Sequence, residues 1–261
     1  MLLENRSAVV YGAGGAVGGA VARAFAAEGA RLFLAGRTLE TVEAVAREVR
    51  AAGGAAEAAR VDAWDERAVE EHFADVAARA GGVDVLFNAI GMQDVQGRHL
   101  TEMSTEELTR PILTAATTQF HTARAAARHM AARGSGVIMT ITAGPSRRAA
   151  PNVGGFDAAC AMLEALWRTF AAELGPRGVR TVVVGSAGSP DAPDVQETIR
   201  LHARAAGKSI EQVEAEFGSE TLLRRLPGVA EVARAAVIMA SDYASAMTAV
   251  IANATAGYVV N

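Results

Sequence analysis

The 261-residue chain is half apolar and carries 29 acidic against 25 basic side chains, a formal charge of −4. That length suits one large α/β domain with a sizeable core, and the acidic balance excludes the clustered basic footprint of a nucleic-acid binder. Cys160 is the only cysteine, no apolar run nears the ~20 residues that span a bilayer, and no secretion signal opens the chain, so a cytoplasmic protein without disulfide or membrane partner is expected.

Strand-sized runs alternate with longer helical patterns throughout. The strands are predicted at Ser7–Tyr11, Arg31–Ala35, Glu57–Val61, Val83–Asn88, Val137–Thr142, Arg180–Gly185 and Val250–Asn253. Several are continuous Val/Ile/Leu runs, the pattern of parallel strands covered on both faces. Between them the 3.6 period predicts helices over Ala16–Glu28, Leu39–Ala52, Glu66–Ala80, Glu106–Ala132, Phe156–Leu174 and Val229–Ala240. Gly29, Gly53-Gly54, Gly81-Gly82, Gly134 and Gly175 follow five of these helices, where glycine stops are favoured. This succession predicts a single, doubly wound parallel sheet of about seven strands, Rossmann-like, spanning residues 1–261. One stretch, 186–227, has no strand but two charged helical pieces, Asp194–Ala206 and Ile210–Phe217. It is either a substrate lid or a surface insertion, and it leaves the carboxyl end of a strand, where open α/β sheets bind ligands.

The loop after the first strand is Tyr11-Gly12-Ala13-Gly14-Gly15-Ala16-Val17-Gly18. Small residues there either merely pack a tight turn or let the backbone approach a pyrophosphate at the helix N-terminus. Arg37-Thr38 ends the second strand; Arg37 is either a solvated surface residue or a planar partner for a ribose 2′-phosphate. Asp62-Ala63 follows the third strand, where the aspartate is either a cap-type residue or an adenine contact. Asn88-Ala89-Ile90-Gly91 follows the fourth.

In this order and spacing the motifs resemble those of the short-chain dehydrogenase/reductases. That family's loop reads Thr-Gly-x-x-x-Gly-x-Gly; Gly12 and Gly18 match, while Tyr11 and Ala16 replace the threonine and the middle glycine. Its Asn-Asn-Ala-Gly resembles residues 88–91, and its Pro-Gly resembles Ala187-Gly188. Its C-terminal signature resembles Ala240-Ser241-Asp242 with Met247-Thr248. The resemblance implies a nicotinamide cofactor at Gly12, Gly14, Gly15, Ala16, Val17, Gly18, Arg37, Thr38, Asp62, Ala63, Asn88, Ala89 and Gly91. With Arg37, NADP(H) is favoured over NAD(H). It also implies a small-molecule substrate and a homo-oligomer, a tetramer or dimer, built on the two long helices, Glu106–Ala132 and Phe156–Leu174, and the C-terminal strand.

The family's proton donor is a Tyr with a Lys one turn on, since residues four apart share a helix face. Here Phe156 and Cys160 fall on those positions, Ala143 on that of the family's serine and Ala115 on that of its asparagine. No shift of register restores the motif: the tyrosines are Tyr11, Tyr243 and Tyr258, and the single lysine is Lys208. Cys160 reads as a buried small hydrophobe rather than a reactive thiol, and Asp157 as an early-helix carboxylate rather than a replacement acid. Thr142, Ser146, Arg147, Arg148, Asn152, Gln93, Asp94 and His99 are expected to rim the pocket, the arginine pair either binding an anion or lying solvated. The five histidines show no metal-ligand spacing. Three functions follow: a divergent NADP(H)-dependent oxidoreductase acting on a carbonyl or alcohol, a pseudoenzyme without turnover, or a fold turned to non-redox chemistry such as elimination, isomerisation or cyclisation.

Overall fold

Strand β1 (Ser7–Tyr11) is buried at all five positions, as a strand covered on both faces must be. In the computed structural model, which describes residues 1–148 and 150–260 (of Pro145 the backbone alone), it lies at the centre of a sheet. The chain continues through α1 (Ala16–Ala27), β2 (Arg31–Gly36), α2 (Leu39–Ala51), β3 (Ala55–Arg60), α3 (Glu66–Ala80) and β4 (Val85–Asn88). Then follow α4 (Thr105–Arg133), β5 (Gly136–Ala143), α5 (Phe156–Leu174), β6 (Val179–Ser186), α6 (Pro193–Ala206), α7 (Ile210–Ser219), α8 (Val229–Ala240) and β7 (Val250–Ala254).

All seven strands are parallel, in the order β3-β2-β1-β4-β5-β6-β7. The doubly wound α/β fold is therefore as the alternation predicts. One apolar core sits between the sheet and α1, α2 and α8, around Val10, Val21, Phe25 and Val232. The other lies beneath α3, α4 and α5, around Tyr11, Phe73, Met130 and Trp167. Strand order reverses between β1 and β4, and their carboxyl ends leave a crevice there.

Local chemistry fixes the helix ends. Ser104 and Glu107 close a reciprocal capping box at α4, and Asp65 accepts from the Ala68 N–H at α3. Gly81 and Gly134 stop their helices in the left-handed conformation. Gly175 does not: its φ is −54°, the chain runs on through a 3-10 turn, and Gly178 (φ 74°) makes the reversal. The third strand also begins two residues earlier than expected. Backbone pairing from Arg31↔Ala55 extends it into alanines that carry little apolar signal. The stretch after β6 holds α6 and α7, which share a small core of their own around Ile199, Ala203 and Val213.

Candidate functional site

The crevice at the switch point is a cavity of about 310 Å³. Its floor is the turn after β1. Gly12 has φ +73°, and a Cβ there would stand 2.4 Å from the Ala89 carbonyl oxygen, so only glycine lets the ends of β1 and β4 approach this closely. Gly15 caps α1 with no side-chain hydrogen bond, leaving the first helical N–H groups to face the cavity mouth. Such an end carries a partial positive charge and can hold an anion.

Of the expected residues, Gly12, Gly14, Gly15, Arg37, Thr38, Asp62, Ala63, Ala89 and Gly91 line this cavity. Ala16, Val17 and Gly18 stand behind it in the first turn of α1, where Gly18 packs against the Gly12 carbonyl. Asn88 is fully buried and works as a brace. Its amide donates to Thr122 Oγ1 (2.7 Å), and its Oδ1 accepts from the Ile90 N–H (3.0 Å). Arg37 is exposed and has no hydrogen-bond or ion-pair partner among the described residues. Asp62 is not the cap of α3, since Asp65 takes that place; its Oδ1 accepts from the Trp64 N–H at 3.1 Å.

Sequence reasoning passed over three groups in the same wall: Trp64, 43% exposed, and Thr114 and Thr118 of α4. A tryptophan in a polar turn beside Asp62 was the available signal for the first. Ala115, expected at a polar family position, is buried in the core; its neighbours Thr114 and Thr118 face the cavity instead. Tyr11 also lines the wall but is 1% exposed. Its hydroxyl bonds His72 Nδ1 at 2.8 Å, and burial holds the phenol far above its ordinary range. The same burial pulls His72 down to about 4.

At the ends of β5 and β6 the side chains differ in kind. Cys160 is fully buried; burial pushes its thiol up to about 12, against a smaller opposing pull from the Ala143 backbone beside it. Ala143 and Cys160 are thus brought together, with Phe156 one turn before Cys160 on α5 and packed on the core. Asp157 is partly buried, which raises its carboxyl above the ordinary range, and its Oδ1 has no hydrogen-bond partner among the described residues.

Arg147 and Arg148 are both exposed, and each also holds a partner. Arg147 Nε lies 3.4 Å from buried Glu164, which also accepts from Ser146 (2.7 Å) and Thr142 (3.3 Å). Arg148 reaches the Tyr258 carbonyl (3.2 Å) and stacks over that ring, 4.4 Å from its centroid. Thr142, Ser146 and Arg147 therefore converge on Glu164 and line a small cavity with it.

Gln93 lines the cavity, whereas His99 is exposed ahead of a 3-10 turn. Asp94 accepts from Gln96 Nε2 (2.6 Å), and Gln96 Oε1 bonds His202 Nε2 on α6 (3.1 Å). Asn152 has φ 63°, and its Oδ1 is buried without a partner among the described residues. Ser189, 2% exposed just past Ala187-Gly188, likewise has an unpartnered hydroxyl. Among the described residues no group of three or more His, Cys, Asp or Glu stands together to hold a metal ion.

A family model described as enoyl-(acyl carrier protein) reductase matches residues 12–259. The cis-4-hydroxycyclohexanecarboxylate dehydrogenase of Sinomonas cyclohexanicum is 32% identical over 97% of this chain and 96% of its own. A solved short-chain dehydrogenase/reductase family protein is 31% identical, with a TM-score of 0.82 over 100% of both chains. A xylitol dehydrogenase solved with NAD+ bound superposes with a TM-score of 0.90 over 98% of both chains, at 23% identity.

Proposed function

The chain belongs to the short-chain dehydrogenase/reductase family, and from that premise we propose that it is an NADP(H)-dependent oxidoreductase of a small carbonyl or alcohol, working without the family's tyrosine and lysine on α5. The shape of the cavity fits a dinucleotide. Its floor tolerates no Cβ at Gly12, and an uncapped helix end faces the space where a pyrophosphate would lie. Trp64 offers an indole face to an adenine, and the free oxygen of Asp62 can accept from the adenine amino group. The Ser189 hydroxyl, buried and unpartnered, would find its partner in the nicotinamide carboxamide. Bound there, the cofactor supplies or takes a hydride; the protein's share is to hold substrate and nicotinamide in reacting register.

One observation carries the cofactor choice. Arg37, at the end of β2, lines the cavity with an unengaged guanidinium. A planar charged fork suits a 2′-phosphate, whereas a 2′-hydroxyl would call for a carboxylate there. Parallel calorimetric titration with NADPH, NADP+, NADH and NAD+ tests this. The phosphorylated pair is expected to bind in the micromolar range and to lose ~10–100-fold in Arg37→Ala, the worth of charge-assisted bonds of ~1.5–3 kcal/mol. Equal affinity for all four nucleotides would overturn the preference.

A second function, nucleotide binding without turnover, is favoured by the buried thiol and phenyl ring where an acid would stand. It predicts the same titration with no nicotinamide oxidation on any carbonyl. The segment 186–227, latched to the β4–α4 loop through Gln96 and His202, acts in either case as a lid over the substrate end. Leu113 and Phe120, exposed on α4, offer the apolar face on which copies of this chain would assemble.

A further inference from the structure

Hydride addition to a carbonyl carbon leaves an alkoxide that needs a proton, so a titratable group must stand near the ends of β5 and α5. Most of the groups there are disqualified. Cys160 is fully buried with its thiol held up by burial. Glu164 is enclosed by Thr142, Ser146 and Arg147. Tyr11 is sealed against His72 beneath β1, and Asp94 is engaged by Gln96.

One phenol remains. After β7 the chain turns back across the sheet and lays the ring of Tyr258 on Gly144, the residue following Ala143. A Cβ at Gly144 would fall 2.4 Å from the Tyr258 ring carbon Cδ1, so that position admits the ring only because it is glycine. On the α5 side, Tyr258 is near enough to Asp157 for their charges to interact. The ring is thus fixed against the end of β5, the strand that carries Ala143, within electrostatic reach of the first turn of α5.

The turn is not a loose end. Asn253 Nδ2 donates to the Val259 carbonyl (2.6 Å), the Val259 N–H to Thr255 Oγ1 (3.2 Å), and the Leu223 N–H to the Ala256 carbonyl (3.0 Å). Arg148 holds the Tyr258 carbonyl and places its guanidinium over the ring. A cation over a phenol's π face favours the phenolate that a donated proton leaves behind.

Resting on the oxidoreductase function above, we propose that Tyr258, with Arg148 stacked on its ring, is the proton donor of the reaction, a catalytic residue supplied by the C-terminal turn rather than by α5. In reduction, the hydride passes from the reduced nicotinamide to the carbonyl carbon, and the carbonyl π pair moves onto oxygen. That oxygen takes the Tyr258 proton, giving the alcohol and NADP+; water then returns a proton to the phenolate.

The charged groups around the ring set its titration. Burial, Glu220 and Asp157 raise the phenol above its ordinary value, and Arg148 opposes them. The phenol therefore stays protonated at neutral pH, as a donor must.

The test uses the full chain with and without saturating NADP+. Ultraviolet titration of tyrosinate, read as wild type minus Tyr258→Phe, isolates this phenol from Tyr11 and Tyr243. Its midpoint is expected to rise in Arg148→Gln and to fall when NADP+ brings a positive ring beside it. A midpoint moved by neither overturns the proposal. Tyr258→Phe is expected to bind NADPH as wild type does and to lose ~10²–10⁴ in carbonyl reduction, the usual span of a positioned acid. Full reduction by Tyr258→Phe, with reduction lost instead in Asp157→Asn, would transfer the role to Asp157. Failure of wild-type NADP+ binding in calorimetry would overturn the oxidoreductase function itself, separately from the titration.

Discussion

The two ends of the crevice obey different rules. At the β1–β4 end the site is built from backbone: a glycine at φ +73°, an uncapped helix terminus and close-packed carbonyls. At the β5–β6 end it is built from side chains. There the resemblance expects Ala143, Phe156 and Cys160 on the family's carbonyl-orienting, acid and cation positions, respectively. Backbone shape of this kind tolerates few substitutes. A proton donor need only reach the reacting oxygen, so it can be delivered from another element while the fold stays the same.

The strongest way to break this contrast is to attack the backbone end. Gly12→Val is expected to abolish measurable nucleotide binding and to lower the melting temperature by several degrees. The left-handed φ alone costs a side chain ~1–2 kcal/mol, before the contact with Ala89 is counted. Calorimetry and thermal melts check both. If Gly12→Val binds normally, the floor is not the cradle.

The contrast sharpens at the other end if side chains can be restored there. Phe156→Tyr with Cys160→Lys, placed in Tyr258→Phe, is expected to recover part of the lost carbonyl reduction. Cys160→Lys alone should destabilise, because an ammonium would be buried without its partner. Steady-state assays with a panel of ketones and aldehydes, beside urea melts, measure the two effects. No recovery in a folded triple substitution would mean that the pocket there is not shaped for a carbonyl.

A smaller effect separates stability from function beneath β1. His72 is neutral in the fold and drawn down to about 4, against ~6.5 when unfolded. With the folded value depressed, the unfolded chain binds the proton first. Stability is therefore full above pH ~6.5 and falls as pH drops towards 4, by on the order of 3 kcal/mol. Urea unfolding across that window should show the slope in wild type and lose most of it in His72→Gln, while NADPH affinity at pH 7 holds.

The mildest test concerns the adenine wall. Trp64→Ala is expected to weaken NADPH binding by ~2–10-fold and Trp64→Phe by less, as the loss of one aromatic stacking partner implies. Quenching of tryptophan emission on NADPH addition should shrink in parallel.

What could be read from residues alone follows the same division. The strand–helix alternation, the glycine loop and Arg37 are local patterns, and each keeps its meaning in one dimension. Trp64 was within reach, since an aromatic in the polar turn after Asp62 has no core to join. Asn88 looked like a cavity residue because its motif borders the loop; burial against Thr122 makes it a brace instead. The Arg147-Arg148 pair could not be resolved without Glu164 and Tyr258, which lie 17 and 110 residues away from their respective partners. In sequence, Tyr258 shows only that it has no lysine four residues on. Its place over Gly144 depends on a turn across the sheet that no local period encodes.

The most direct measurement is a crystal structure of the protein grown with NADP+. The 2′-phosphate is predicted on Arg37, the pyrophosphate over Gly12–Gly15 and the nicotinamide between Ser189 and the end of β5, with the Tyr258 hydroxyl beside its reactive carbon. A nucleotide bound elsewhere, or a nicotinamide far from Tyr258, would contradict an intact cofactor end paired with a relocated acid.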